Sequence, residues 1–172
     1  VDDGYTDFVE TAYPILQRYG VPATLYVVTG CSAQPSWLWF DALRFCIGHA
    51  REQRVRLPLA DRDLALDMRT AEGRERAWHQ IGDLCLALPS TARRDVLTAV
   101  QGAFGVRLPL APSEDDGRTV DWKQLRALDP DLIELGCHSA THPNLPLCTD
   151  VELQAEIVES RREIERETGR CP

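Results

Sequence analysis

The sequence predicts an α/β fold in which short buried strands alternate with helices, as parallel βα units around one sheet or barrel. Three observations carry that prediction. Residues 23 to 29 form a short apolar run, partly β-branched, bounded by Pro22 and Gly30. A second such run, Leu132 to Cys137, follows a short helical segment. Helix-period segments stand before the first run and after the second, which is the order of a parallel sheet with crossover helices.

The elements follow in chain order. Phe8, Ala12, Ile15, Leu16 and Tyr19 recur at helical spacing, and Gly20 follows as a stop, so residues 6 to 19 read as a helix. Pro14 inside that pattern predicts a kink or a late start, because proline lacks the N–H that an α-turn needs. Val21-Pro22 leads into the first buried strand. The stretch from about residue 36 to 120 differs in composition. It opens with Trp37-Leu38-Trp39-Phe40 and continues with Arg-, Ala- and Leu-rich segments that read as helices over 38 to 53, 70 to 88 and 91 to 104. Pro89-Ser90 separates two of them, with Ser90 as the expected N-cap. Residues 109 to 119, rich in Pro, Ser, Asp and Gly, read as a loop. Asp121 to Leu128 is a short helix, Leu132 to Cys137 a strand, and His138 to Asp150 a loop. Val151 to Thr168 reads as an amphipathic helix with Leu153, Ile157 and Ile164 on one stripe and Gly169 as its stop.

Composition narrows the function. The chain has 172 residues, 44% hydrophobic and 27% charged, which suffices for a real core. A net charge of −8 argues against nucleic acid or an anionic membrane surface as partner and suits a neutral substrate. No apolar run approaches the roughly 18 residues that span a bilayer. Val1 opens directly onto Asp2-Asp3-Gly4, and the chain closes at Cys171-Pro172 without a terminating signal. It therefore reads as a domain truncated at both ends, with cytoplasmic, cell-envelope and secreted settings all open. The six cysteines include no Cys-x-x-Cys pair, so they read as packing residues and not as a zinc ribbon or redox motif.

Two clusters can carry chemistry. Asp2 and Asp3 are adjacent carboxylates at the end of a strand, where they repel and resist joint desolvation. A cation, or two separate roles, resolves that conflict, and Gly4 permits a tight turn there. His138 and His142 lie four apart, which would place both on one face of a helix, and a tight loop could converge them equally well. Imidazoles suit zinc, cobalt, nickel or iron. One carboxylate with two histidines is a common catalytic metal set that leaves positions open for water and substrate. The spare carboxylate beside it is then a natural general base. His49 and His79 lie in helical segments without partner ligands, and Cys137 should face away from His138. Trp37, Trp39 and Phe40 read as core before they read as a sugar platform.

Val1-Asp2-Asp3-Gly4-Tyr5 resembles the T-F-D-D-G motif of the polysaccharide deacetylases, the NodB-homology domain of carbohydrate esterase family four. Tyr19-Gly20-Val21-Pro22-Ala23-Thr24 resembles the approach to that family's second strand. Gly136-Cys137-His138-Ser139-Ala140-Thr141-His142-Pro143 resembles its H-[ST]-x-x-H motif, and the helix from Glu152 to Gly169 is what commonly follows. Residues 36 to 120 match only loosely. The resemblance implies a partial, distorted parallel (β/α) barrel of the seven-stranded deacetylase type, with a mainly helical insertion between the second and third strands. It implies one incomplete catalytic domain over residues 1 to 172. It implies Asp2 as catalytic base and Asp3, His138 and His142 as ligands of one divalent ion, usually zinc, sometimes cobalt or another. The implied reaction is hydrolysis of an acetyl group, commonly N-acetyl on a glucosamine-containing polymer, by metal-activated water. The family's arginine, tryptophan and late Leu-x-His motifs are expected beyond residue 172, so activity is expected of the longer protein and not of this segment. Two other readings share the motif residues: a non-catalytic carbohydrate-binding relative, for which Asp2 would be superfluous, and a metal-dependent amide hydrolase on a cyclic imide or purine derivative.

Overall fold

A computed structural model describes residues 1–59 and 63–172. Residues 60 to 62, inside the expected insertion, lie outside the described residues. The chain divides into two compact units, Val1–Leu38 with Leu110–Pro172, and Trp39–Pro109.

The first unit is built on two parallel strands, β1 (Ala23–Val27) and β4 (Ile133–Cys137), paired in register from Ala23 opposite Ile133 to Val27 opposite Cys137. Side chains alternate across a strand, so Leu25 and Val27 of β1 and Ile133 and Leu135 of β4 point to one face. There they form a core with Phe8, Val120, Leu125, Leu128 and Ile164, each almost fully buried. Each such side chain contributes roughly 1.5–3 kcal/mol of burial free energy. The opposite face carries Thr24, whose hydroxyl donates to Glu134 at 2.8 Å, and Tyr26, which lies against Gly136. β1 is therefore buried on one face only; Tyr26 remains 42% exposed. A Cβ on Gly136 would meet the Tyr26 ring at 2.5 Å, so the lack of a side chain at 136 is what lets the ring lie there.

Helical segments complete the unit. The first differs from expectation in its opening turn. A π-turn segment, Phe8–Ala12, runs into α1, Tyr13–Tyr19, with Pro14 in the first turn of α1. The Tyr13 N–H reaches back to the Phe8 carbonyl, a five-residue step that leaves Pro14 at the helix start, where its missing N–H costs least. The wider turn shifts the helical phase, so Ile15 and Tyr19 face solvent while Phe8 stays in the core. α6 (Trp122–Ala127) starts at a capping box in which Asp121 and Gln124 bond each other's backbone N–H groups. The C-terminal helix begins with α7 (Asp150–Leu153) under a second capping box, Thr149 with Glu152. It widens to a π segment at Gln154–Glu159 and ends as α8 (Ser160–Thr168) before Gly169. The π segment breaks the expected stripe. Ile164 is buried, but Ile157 is 45% exposed. A short α2 (Thr29–Ala33) follows β1.

The second unit holds the three expected helices, now α3 (Trp39–Gly48), α4 (Ala71–Leu86) and α5 (Ser90–Phe104). It also holds an unexpected antiparallel pair, β2 (Arg54–Pro58) with β3 (Asp63–Asp67). The helix expected over 38 to 53 thus ends at Gly48. Ser90 is the first residue of α5 and Pro89 occupies the cap position, so Ser90 does not cap; its hydroxyl accepts from Arg93 instead. Val55 and Leu57 of β2 and Leu66 of β3 close a core with Leu43, Ile47, Ile81, Val100 and Phe104. Trp39 packs on that core, edge-on to Phe40 at 5.4 Å, which is a packing role for one of the three clustered aromatics. His79 pairs with Glu75, and His49 stacks on Phe45.

All six cysteines are free thiols. Cys31, Cys46 and Cys85 are buried, as expected for packing residues, whereas Cys171 is exposed. Burial pushes the Cys46 and Cys85 thiols up to about 11, so both stay protonated and inert at neutral pH. Among the described residues, no helix is long and apolar enough to cross a membrane.

Candidate metal centre

The strand ends bring the two sequence clusters together. The Val1 amino group donates to the Thr24 carbonyl and the Tyr26 N–H donates to the Val1 carbonyl, both at 2.8 Å, so residue 1 lies alongside β1 as a further edge. Asp2 and Asp3 follow at the C-terminal end of that edge. His138 follows β4 at the same end, its N–H donating to the Val27 carbonyl at 2.9 Å. Gly4 then turns the chain away with φ +68°. It is buried with its Cα side against Val120 and the β1 backbone, and its carbonyl accepts from the Val120 N–H at 2.8 Å. A side chain would be strained at this φ.

Asp3, His138 and His142 converge. Asp3 Oδ1 stands 3.4 Å from Nε2 of His138 and 3.4 Å from Nε2 of His142, and the two nitrogens stand 3.2 Å apart. Asp3 Oδ1 is shut off from solvent and has no hydrogen-bond partner. Such an atom costs about 1–3 kcal/mol, and more when it carries charge. A cation at the centre of the three atoms removes that cost. The spacing fits: tetrahedral bonds of about 2.0–2.1 Å to nitrogen and oxygen put ligand atoms about 3.3–3.4 Å apart. The donor set fits too, since two imidazoles and one carboxylate suit zinc or a neighbouring divalent ion. These three residues form the only such group among the described residues. The imidazoles keep 31% and 29% of their surface exposed and Asp3 keeps 18%, so the cluster is partly open to solvent.

The histidines meet across a loop, not along a helix face. Ser139 and His142 have φ of +66° and +56°, and Asp3 has +69°. Among the described residues these are the only non-glycine residues in the left-handed region. Each costs on the order of 1–3 kcal/mol and persists only where surrounding contacts fix it. Those contacts are on hand. The Ser139 hydroxyl accepts from the His142 N–H at 3.1 Å. The Thr29 and Gly30 N–H groups at the start of α2 donate to the Ser139 and Ala140 carbonyls at 3.2 and 2.9 Å. Glu156 in the π segment accepts from the N–H groups of Ala140 and Thr141. Cys137 points the other way, its sulfur 2.8 Å from the Ser160 hydroxyl, as its alternation with His138 requires.

Gly30 is a further contributor that the sequence alone did not single out. A Cβ there would lie 2.6 Å from the Ala140 carbonyl oxygen, a backbone atom with no freedom to swing aside. Gly30→Ala is therefore expected to push the histidine loop off its support at a cost of about 1–3 kcal/mol. For a chain of this size that lowers Tm by about 2–4 °C per kcal/mol, as read by thermal unfolding. An unchanged Tm would show that the loop does not rest on α2 as described.

Asp2 is exposed and stands outside the three-atom cluster, beside Asp3 in sequence and at the same strand end. The geometry thus separates the two neighbours: one carboxylate oxygen is sealed against two imidazoles, and the other carboxylate is in solvent.

Fold and site together define the class: an α/β protein whose strand ends hold an Asp–His–His cluster suited to a divalent cation. The polysaccharide deacetylase family model matches residues 1–82, the segment that carries Asp2-Asp3-Gly4. No curated protein matches the chain. Among solved structures, the deacetylase domain of BpsB from Bordetella bronchiseptica aligns with 99% of this chain and 50% of its own, at 17% identity and a TM-score of 0.44. The chain spans about half the length of that structure.

Proposed function

We propose that this chain is part of a metal-dependent deacetylase that removes acetyl groups, N-acetyl first among them, from a carbohydrate polymer. The observation that carries the reading is the sealed, unpartnered Asp3 Oδ1 facing two imidazole nitrogens at 3.4 Å. The family match over residues 1–82 supports the reaction class. In this reading β1 and β4 are the second and third strands of a distorted parallel barrel of about seven strands, with the active site at their C-terminal ends. Residues 1–172 are one part of the catalytic domain, and Trp39–Pro109 is the insertion between those strands.

Asp3, His138 and His142 would hold the ion, zinc foremost, with cobalt or another divalent ion as alternatives. When bound, the ion supplies Lewis acidity toward an acetyl carbonyl and brings the pKa of water toward about 7. The protein's own share is positional and protonic. The two rings would present Nε2 lone pairs to the ion, and Asp3 would contribute its sealed oxygen. Asp2, in solvent, takes the proton of the water that attacks the carbonyl. A base so placed contributes about 10²–10⁴-fold. The division of labour also explains how two adjacent carboxylates are tolerated at one strand end, since only one of them is desolvated.

The test is acetate release from an acetylated chito-oligosaccharide by the longer protein that contains this segment, before and after treatment with a chelator. Release is expected to stop on chelation and to return with zinc or cobalt. Unchanged release in chelator would overturn the metal dependence. Turnover of a cyclic imide in place of the sugar would overturn the substrate class.

A further inference from the structure

We infer that Glu156 is the positioning residue that sets the spacing of His138 and His142, acting through the backbone of the loop between them. The inference rests on the proposed metal triad and deepens it. Glu156 Oε2 accepts from the Ala140 N–H at 2.9 Å and the Thr141 N–H at 2.8 Å, and Oε1 accepts from the Thr141 hydroxyl at 2.6 Å. One carboxylate therefore collects three donors, all from two consecutive residues that separate the histidines. Hydrogen bonds to an ionised acceptor are shorter and stronger than neutral ones. They act where the backbone most needs holding, between the left-handed Ser139 and the left-handed His142.

The side chain that does this comes from the widened turn of the C-terminal helix. Glu156 sits inside the π segment Gln154–Glu159, and the same segment ends where Ser160 and Ile164 return to the core. π-turns inside α-helices recur at functional sites because they redirect a side chain without ending the helix. Here the helix is anchored on both sides of the turn, by the Thr149–Glu152 capping box before it and by buried Ile164 after it. The carboxylate is thereby presented to the loop from a fixed frame. Groups that orient metal ligands from outside the coordination shell are worth about 10–100-fold in metal affinity.

The experiment is a zinc titration against a chromophoric chelator, with thermal unfolding of the metal-free protein alongside. The proteins are wild type, Glu156→Ala, Glu156→Gln, Thr141→Val and His138→Ala. Glu156→Ala is expected to weaken zinc about 10–100-fold while still binding one ion per chain at saturation. Glu156→Gln should recover part of that loss, since its carbonyl can accept from the two backbone N–H groups. Thr141→Val removes one of the three bonds and should cost less than about tenfold. The cobalt-loaded Glu156→Ala protein should show a shifted visible absorption, which a loss of global stability alone would not produce. Zinc affinity of Glu156→Ala within twofold of wild type, whatever its Tm, would overturn the inference. If Glu156→Ala does not fold, unchanged affinity in both Glu156→Gln and Thr141→Val would overturn it. Wild-type affinity in His138→Ala would instead overturn the triad itself, so the two failures are separable.

Discussion

His138→Ala, or Asp3→Ala, is expected to abolish stoichiometric zinc binding. Three protein atoms within 3.4 Å of one another make the site, and removal of any one leaves a pair that cannot enclose an ion. The effect is large in two readouts. Zinc retained through gel filtration should fall from one per chain to background. The stabilisation that zinc gives the wild type should vanish as well. At a hundredfold excess over Kd that stabilisation is about 2.7 kcal/mol. It corresponds to a Tm increase of about 5–11 °C for a chain of this size. The metal-free variants should be no less stable than metal-free wild type, because each substitution removes either the unpartnered Asp3 Oδ1 or a ring crowded against it. Unchanged stoichiometry would refute the ligand assignment. A loss of stability in the metal-free state equal to the loss with metal would mean the residues serve packing and not ligation.

Asp2→Asn is the second large effect, and its signature is the reverse. Zinc content and the zinc-dependent Tm increase should stay at wild-type values, because Asp2 is exposed and outside the cluster. Acetate release by the longer protein should fall by about 10²–10⁴-fold, the range for removing a general base. The loss should sit in kcat and not in KM, since the base acts on the attacking water and not on bound sugar. Lost metal with retained rate would exchange the roles of Asp2 and Asp3. Retained metal with retained rate would favour a site in which Asp2 has no chemical task.

The convergence of Asp3, His138 and His142 was legible in the sequence because these residues come from two local clusters, Asp2-Asp3 and His138 with His142. His138 follows β4, a run that strand propensity identifies, and Asp2-Asp3 follow Val1, whose backbone bonds to β1. The parallel order of βα units then brings both ends to one side. What the sequence did not show was how the loop is held. Spacing of four left a helix face or a loop open for the histidines. The left-handed Ser139 and His142 decide for the loop, and no residue type at those positions announces it. Glu156 was hidden for a related reason. In an uninterrupted helix its position carries no sign of pointing at residues 140 and 141, and the π turn that directs it leaves no compositional mark.

The same cause explains the helix stripes. Ile15 and Ile157 were read as buried on a 3.6-residue period, and both follow or lie within a π turn that shifts the phase. The β2–β3 pair was missed for a different reason. Arg54-Val55-Arg56-Leu57 alternates polar with apolar residues, a period-two signal, whereas Asp63-Leu64-Ala65-Leu66 carries it only weakly because Ala65 is apolar. The signal is short and sits between Arg-, Leu- and Ala-rich segments that read as helices over 38 to 53 and 70 to 88. Tyr26 shows the limit of reading burial from hydrophobic runs: its strand is largely apolar, but only one face of it meets the core.

The central claim is that Asp3, His138 and His142 together bind one divalent ion. Zinc-edge X-ray absorption of the zinc-loaded protein tests it most directly. The account predicts a first shell of nitrogen and oxygen only, at about 2.0–2.1 Å, with the multiple scattering of two imidazoles. A sulfur shell at about 2.3 Å, or the scattering of fewer than two imidazoles, would contradict it.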